Sequence, residues 1–416
     1  MNIFDLTEKY LPIFFSSVYY VYMNVKQRYL YPFIAKDLKQ KMVFLEGPRQ
    51  VGKTTLAQAI AAHEFQRPAY YNWDDRNDRR AIADARFPDD ADLIILDEVH
   101  KYRPWKNHVK GIWDTRKEKH RILVTGSARL DIYRRGGDSL LGRYHYHRLH
   151  PFTVGELIGA TDTPPPFEKL VFPRDAHARE QFDRLFRFGG FPEPFFTHNR
   201  EEHRRWQNEY VDRLIKDDVR DLEIIRDLSM VQLLVIMLPQ KVASRLSITS
   251  IREDLEVSYN TVAHWIDVLE RFYFLFRIYP YRATAIKSLR KEPKAYLWEW
   301  SLVEDGAKRL ENMIAAHLLK FVHLLYDAHG WRADLWYLRD IDGREVDFLV
   351  IVNRKPWFAV EVKLSETEPS KHLAYFGDRL EIPFLYQVVA AAGVDFWDAR
   401  KNISVMSADR FLSGLV

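Results

Sequence analysis

There is no cysteine among the 416 residues. That absence excludes a disulfide framework, a thiolate zinc site, an iron–sulfur cluster and a cysteine nucleophile, and a reducing cytoplasm is the expected compartment. Long apolar runs are missing too. The stretch Leu11 to Met23 is too short and too polar to span a bilayer, and Asp5 and Glu8 precede it where a signal peptide carries positive charge, so neither a membrane span nor a targeting segment is expected. Charge of one sign is scarce: Lys and Arg total 62 against 58 Asp and Glu, a formal +4 that permits nucleic-acid binding without arguing for it. Glycine (17) and proline (19) are too few for a collagen-like chain or a low-complexity one. What is present, 47% hydrophobic and 29% charged residues, describes folded domains, two or three at about 150 residues each.

From Met42 to about Leu149 short apolar runs alternate with helical patterns, which predicts a parallel sheet flanked by helices. Strands are expected at Met42 to Glu46, Ala69 to Trp73, Leu93 to Leu96, Ile122 to Thr125 and Tyr144 to Leu149. A Pro-rich loop, Thr161 to Pro166, breaks the pattern. Arg179 to Leu238 reads as mostly helical, interrupted at Gly189-Gly190-Phe191-Pro192. Val242 to Tyr281 reads as helix, tight turn, helix, strand, a helix-turn-helix or winged-helix pattern. From about Leu302 a long amphipathic helix leads into apolar strands. The expected class is α/β, divided as 1–160, a helical lid at 161–240, a winged-helix-like module at 241–300 and a last domain at 301–416.

Gly47-Pro48-Arg49-Gln50-Val51-Gly52-Lys53-Thr54 matches the phosphate-binding loop pattern in full, and lies between the strand MVFLE and the helix TTLAQAIAAH. Backbone N–H groups of such a loop, with Thr55 in the helix that follows, curl around the β- and γ-phosphates of ATP; Lys53 reaches phosphate oxygens and the Thr54 hydroxyl ligates Mg²⁺. A second motif, Leu93-Ile94-Ile95-Leu96-Asp97-Glu98, is an apolar strand ending in two acids. Asp97 would hold magnesium through water, and Glu98 would orient and deprotonate an attacking water. This resembles the branch of P-loop ATPases with an extra strand and a catalytic glutamate, which includes the AAA+ proteins. By that resemblance Thr125 or Ser127 senses the γ-phosphate. Arg143 is the candidate arginine finger, with Arg129, Arg134 and Arg135 as alternatives of which Arg134 and Arg135 read better as a solvated charged face; the finger acts in cis or in trans, and a finger in trans implies a homo-oligomer.

Three acids in the last domain stand where packing does not want them. Glu311 falls within the helical stripe Ile314, Leu318, Val322 and Leu325. Asp347 opens the apolar run Asp347 to Val352, and alternation in Ala359 to Leu364 puts Glu361 and Lys363 on one face. Such acids would converge on a divalent cation, with Lys363 orienting a nucleophile or stabilising transition-state charge; an exposed ion pair between Glu361 and Lys363 is the plainer alternative. The arrangement is similar to the PD-(D/E)xK nuclease core.

GPRQVGKTT, LDEVHK, TGSA, LLGR with HPFTVGEL, GGFPEP, the segment KEPKAYLWEWSLVEDGAKRLENMIAAHLL, and GREVDFLV with EVKLS together resemble the bacterial and archaeal ATPase family that has an AAA-type N-terminal domain and a nuclease-like C-terminal domain of unknown function. Glu299 departs from it, since the family usually has Asp there. The resemblance implies a P-loop, AAA+-like sheet followed by a restriction-endonuclease-like domain, with ATP and Mg²⁺ bound and DNA as a partner. Cleavage of DNA by the last domain is the leading reading; a nucleotide-dependent switch whose last domain binds without cutting is the alternative. Other features are compatible with nucleic acid: the basic stretch Lys101 to Arg121 with Trp105 and Trp113 interleaved, and the segment Arg282 to Lys294 as a phosphate-contacting wing. Tyr259 to Phe272 carries too few cations to read a major groove. His145, His147 and His150 lack an acid cluster and are read as ordinary polar positions.

Overall fold

Five strands, β1 (Met42–Glu46), β2 (Pro68–Asn72), β3 (Leu93–Asp97), β4 (Arg121–Gly126) and β5 (Tyr144–Arg148), form one all-parallel sheet in the order β2-β3-β4-β1-β5. The computed structural model describes residues 28–127, 140, 142–160, 163–219, 227–281 and 292–416. The sequence places all five strands to within a residue at each end. Helices α1 (Tyr31–Asp37), α2 (Lys53–Glu64), α3 (Arg76–Ala83) and α4 (Trp105–Arg116) accompany them. Both faces are covered, so every residue of β1 and β3 is buried, which is why these strands read as continuous apolar runs. Phe44, Ile94 and Val124 pack with Trp105 and Ile112 on one face; Val43, Leu45 and Leu123 pack with Leu56 and Ile60 on the other.

The chain continues through α5 (Val154–Leu157), α6 (Ala178–Phe188), α7 (Pro192–Thr197), α8 (Arg200–Arg213), α9 (Leu228–Lys241), α10 (Ile248–Leu255) and α11 (Tyr259–Arg271). Ser247 and Ser258 cap the last two, each hydroxyl accepting from a backbone N–H three residues on. Then come β6 (Leu275–Pro280), β7 (Lys294–Leu297), α12 (Gly306–Asp327), β8 (Ala333–Arg339), β9 (Glu345–Val352), β10 (Lys355–Lys363), α13 (Lys371–Leu380), β11 (Phe384–Val389), β12 (Asp395–Asp398), β13 (Ile403–Ser407) and α14 (Ala408–Ser413). The second sheet has eight strands in the order β12-β13-β11-β10-β9-β8-β6-β7. It therefore crosses the boundary expected near residue 300: β6 and β7 close the edge of the C-terminal sheet. Among the described residues no helix is long and apolar enough to cross a membrane. Leu11 to Met23, Arg129, Arg134, Arg135 and the stretch 282–291 lie outside the described residues.

The GGFPEP turn and Glu299 belong together. Gly189 has φ +78°, and a Cβ there would overlap the Glu299 carboxylate. Glu299 is fully buried, Oε1 accepts from Ser301 N–H at 2.8 Å, and Oε2 has no partner. Burial pushes its carboxyl up to about 7, against the Ser301 bonds and Arg309. A carboxyl raised on folding favours the native state below its unfolded value, and that advantage is lost as pH rises through about 7. Unfolding midpoints measured from pH 4.5 to 8 should fall with pH less steeply in Glu299→Gln than in the parent; equal slopes would show that Glu299 stays ionised.

Candidate functional site

The nucleotide loop turns off the end of β1. Gly52, at φ +97°, bends the chain into α2, which opens on Lys53. Lys53 is buried, and its Nζ donates to the carbonyls of Gly47 (3.0 Å) and Pro48 (2.8 Å). Across from it Asp97, at the end of β3, gathers three hydroxyls. Thr54 Oγ1 and the Tyr70 hydroxyl each donate to Oδ2 at 2.7 Å, and Thr125 Oγ1 donates to Oδ1. The oxygen donors Thr54 and Asp97, beside the Lys53 ammonium and a helix N-terminus, fit a magnesium nucleotide.

Glu98 leaves the strand at φ +55°, a left-handed conformation uncommon outside glycine and frequent at functional positions. Its N–H donates to the Thr125 carbonyl (3.1 Å), and Oε2 accepts from Ser127 Oγ at 2.9 Å with Lys101 Nζ 3.6 Å away. Burial alone would raise Glu98; His100, Lys53, Lys101 and the Ser127 hydroxyl outweigh it and hold the carboxyl below its ordinary value. Of the two candidate sensors, Thr125 is bonded to Asp97 and Ser127 to Glu98. Tyr70 escaped the sequence reading because one tyrosine in the strand PAYYN looks like any half-buried aromatic.

Arg143 is not brought to this site in its own chain. It stands just before β5, whose first residue Tyr144 pairs with Met42, the first of β1, whereas the loop follows the last. At about 3.3 Å per residue the whole strand separates them, and Arg143 Nε bonds Asp114 Oδ1 of α4 at 2.9 Å. A parallel strand begins at the sheet edge opposite to the one where its neighbour ends, and no local pattern around LLGR records that.

In the C-terminal sheet the expected acids do converge. Lys294 Nζ lies 3.1 Å from Glu311 Oε1, 3.1 Å from Asp347 Oδ1 and 2.7 Å from Glu345 Oε1, and Lys294 itself is buried. Tyr296 donates to Glu311 Oε1 (2.7 Å), Val362 N–H to Asp347 Oδ2 (2.9 Å), and Lys363 pairs with Glu361 at 2.8 Å. Three carboxylates share one ammonium, and the surplus negative charge falls on Glu311, which burial and then Asp347 push up to about 8. Burial and Asp347 likewise raise Glu361 to about 7. Among the described residues no group of three or more His, Asp or Glu side chains is placed to hold a metal ion, and an ammonium sits where a cation was expected. Lys294, read from sequence as part of a phosphate-contacting wing, is that ammonium; its burial depends on a strand pairing, β6 with β7, that the local sequence does not reveal.

Comparison with known proteins finds three family models along the chain. Residues 39–158 match the family model of an AAA domain. Residues 179–308 and 308–407 match two domains of unknown function, DUF8612 and DUF4143. Relatives include an uncharacterized protein of Mycobacterium tuberculosis, 23% identical over 78% of this chain and 71% of its own, and one of Methanocaldococcus jannaschii, 25% identical over 72% and 74%. Similar solved structures include the Thermotoga maritima RuvB Holliday junction branch migration motor, 19% identical over 65% of this chain and 94% of that one, with a TM-score of 0.28.

Buried charge joins the segment around the nucleotide loop to α12. Arg28 donates through Nη1 to the Val51 carbonyl of the nucleotide loop (2.9 Å), through Nη2 to His150 O (2.6 Å) and through Nε to Glu156 Oε1 (2.7 Å). Glu156 Oε2 pairs with Lys320 of α12, whose Nζ also donates to Thr153 Oγ1 (2.9 Å). His317 Nε2 accepts from Val154 N–H at 3.2 Å, His323 meets His150 at 2.8 Å, and Asp327 binds Arg148 through two oxygens at 2.7 and 2.9 Å. His317, Lys320, His323 and Asp327 thus form a polar stripe on α12 that receives the HPFTVGEL segment. Sequence analysis saw only the apolar stripe; the signal was the three-residue spacing of polar groups in a helix otherwise apolar on most sides.

One other expectation changes. Trp105 and Trp113 are buried in the core against Phe44 and its neighbours, so neither offers a stacking face to bases. His147 pairs with Asp37 at 2.8 Å and His150 with His323, in keeping with polar structural roles.

Proposed function

We propose that the protein binds and hydrolyses ATP with Mg²⁺ and uses the nucleotide state as a switch read by the C-terminal domain, which binds without cutting. Asp97 carries the first part of this reading: it meets Thr54 from the loop helix and Thr125 from β4, with Glu98 as the next residue. When bound, the magnesium nucleotide supplies the electrophilic γ-phosphorus. The loop N–H groups and Lys53 grip phosphate oxygens, Thr54 and Asp97 hold the cation, and Glu98 accepts a proton from the attacking water while Ser127 fixes its carboxylate. Arg143, at the far edge of its own sheet, is available only to a neighbouring copy, which makes a homo-oligomer part of the proposal. Lys53→Ala should weaken ATP binding by at least about tenfold in a titration with a fluorescent nucleotide; unchanged affinity would remove the loop from the site.

Lys294 supports the second part, since an ammonium held by three carboxylates replaces the cation that strand cleavage needs. Without nucleotide, Mn²⁺ should shift thermal unfolding of the parent and of Asp347→Ala alike, and DNA should survive incubation with either cation. A shift lost in Asp347→Ala, or cleavage that depends on Asp347 and Lys363, would restore the nuclease reading.

A further inference from the structure

We infer that a cavity of about 880 Å³ between α6, α8, α9 and the start of α12 is a binding site for the phosphate of a nucleotide, separate from the nucleotide loop. It shares no lining residue with the loop. Four guanidinium groups line it: Arg187 from α6, Arg200 and Arg204 from α8, and Arg309 from α12. Among the described residues none of the four forms an ion pair. Arg309 spends its Nε on the Val303 carbonyl (2.6 Å), and Arg187 and Arg309 lean on the rings of Phe188 and Phe186. Arg200 and Arg204 stand one turn apart on α8, a like-charge pair that destabilises a helix unless an anion bridges it.

The cavity also contains two carboxylates, Asp212 and Glu304. Asp212 is engaged by Lys216 at 2.7 Å, and among the described residues Glu304 makes no ion pair within 4 Å, though its charge acts on Arg309. Cationic excess is felt by the wall: His203, bonded to Ser301 Oγ at 2.9 Å, is pushed down to about 4 by burial and then by Arg309 and Arg204. Planar guanidinium forks are suited to the bidentate grip that phosphate offers. Beneath them lies an apolar floor that includes Phe274 and Leu302, and the volume lies in the range that accommodates small ligands. Guanidinium rim and apolar floor together describe a nucleotide unit, whether free or within a single strand.

Arg200 and Arg204 are exposed, so charge reversal there leaves the core intact. In the full chain carrying Lys53→Ala, which weakens the loop's own affinity, binding of fluorescein-labelled oligothymidylate should weaken at least about tenfold in Arg200→Glu/Arg204→Glu, and the slope of log K against log salt should drop by about 0.7 for each lost phosphate contact. ADP and inorganic pyrophosphate, titrated by calorimetry, form the second arm. Loss of oligothymidylate binding assigns the site to a strand; loss confined to ADP and pyrophosphate assigns it to a free nucleotide. If the reversed variant, with an unchanged unfolding midpoint, binds all three probes as the Lys53→Ala parent does, or if that parent binds none of them, the site does not exist. Arg204→Gln serves the same purpose should the double reversal fail to fold.

Discussion

Glu98→Gln should bind ATP with the parent's affinity and turn it over about 10² to 10⁴ times more slowly, the usual contribution of a positioned general base. The amide has the carboxylate's shape and still accepts from Ser127, so the left-handed turn after β3 and the Asp97 cluster should survive. What is lost is an oxygen able to take the water's proton. His100, Lys53 and Lys101 hold the Glu98 carboxyl below its ordinary value, so the parent's rate should fall only in acid, as the carboxylate becomes protonated. Single-turnover kinetics beside an equilibrium nucleotide titration separate the two quantities. A variant hydrolysing at the parental rate would mean that another group activates the water.

Glu156→Ala should cost about 3–5 kcal/mol of stability, the range for breaking a buried ion pair from one side, because Arg28 and Lys320 would remain buried with no counter-charge. Lys320→Met, which leaves Arg28 and Glu156 paired one to one, should cost much less. Burial would raise the Glu156 carboxyl, but Arg28 and Lys320 hold it below its ordinary value. A carboxyl lowered on folding contributes stability above its unfolded pKa that is lost as pH falls through the folded one. The destabilisation by Glu156→Ala should therefore shrink on acidification below about pH 4.5. Because Arg28 also holds the Val51 carbonyl, nucleotide affinity should fall together with stability, and full-length unfolding with and without ATP would show both. If Glu156→Ala were as stable as Lys320→Met, the network would be an ordinary set of exposed pairs.

The sequence alone was sufficient for the first sheet and its loop. Short continuous apolar runs such as LIILD, flanked by turn residues, fit strands buried on both faces, and the nucleotide loop is local, with eight consecutive residues carrying the glycines, lysine and threonine that phosphate binding requires. Asp97 and Glu98 were legible for the same reason. Convergence of Glu311, Asp347 and Glu361 was legible as well, since acids on apolar faces must find partners. Glu361 found its partner in Lys363, two residues on; the partner of the other two was decided only by tertiary structure. Lys294 reaches Glu311 and Asp347 because β7 closes the sheet beside β6, a pairing with no local signature. Arg143 lies far from the loop because parallel strands start at the edge opposite the one where the nucleotide sits. Trp105 and Trp113 are core because α4 turns them inward onto Phe44, where burial of large rings stabilises more than exposure to a partner would. The polar face of α12 became meaningful only once Glu156 and His150 were seen to meet it. Chemistry carried by neighbours in the chain is written in the sequence; chemistry carried by residues more than a hundred positions apart, as between Arg28, Glu156 and Lys320, is set by how the two sheets pack.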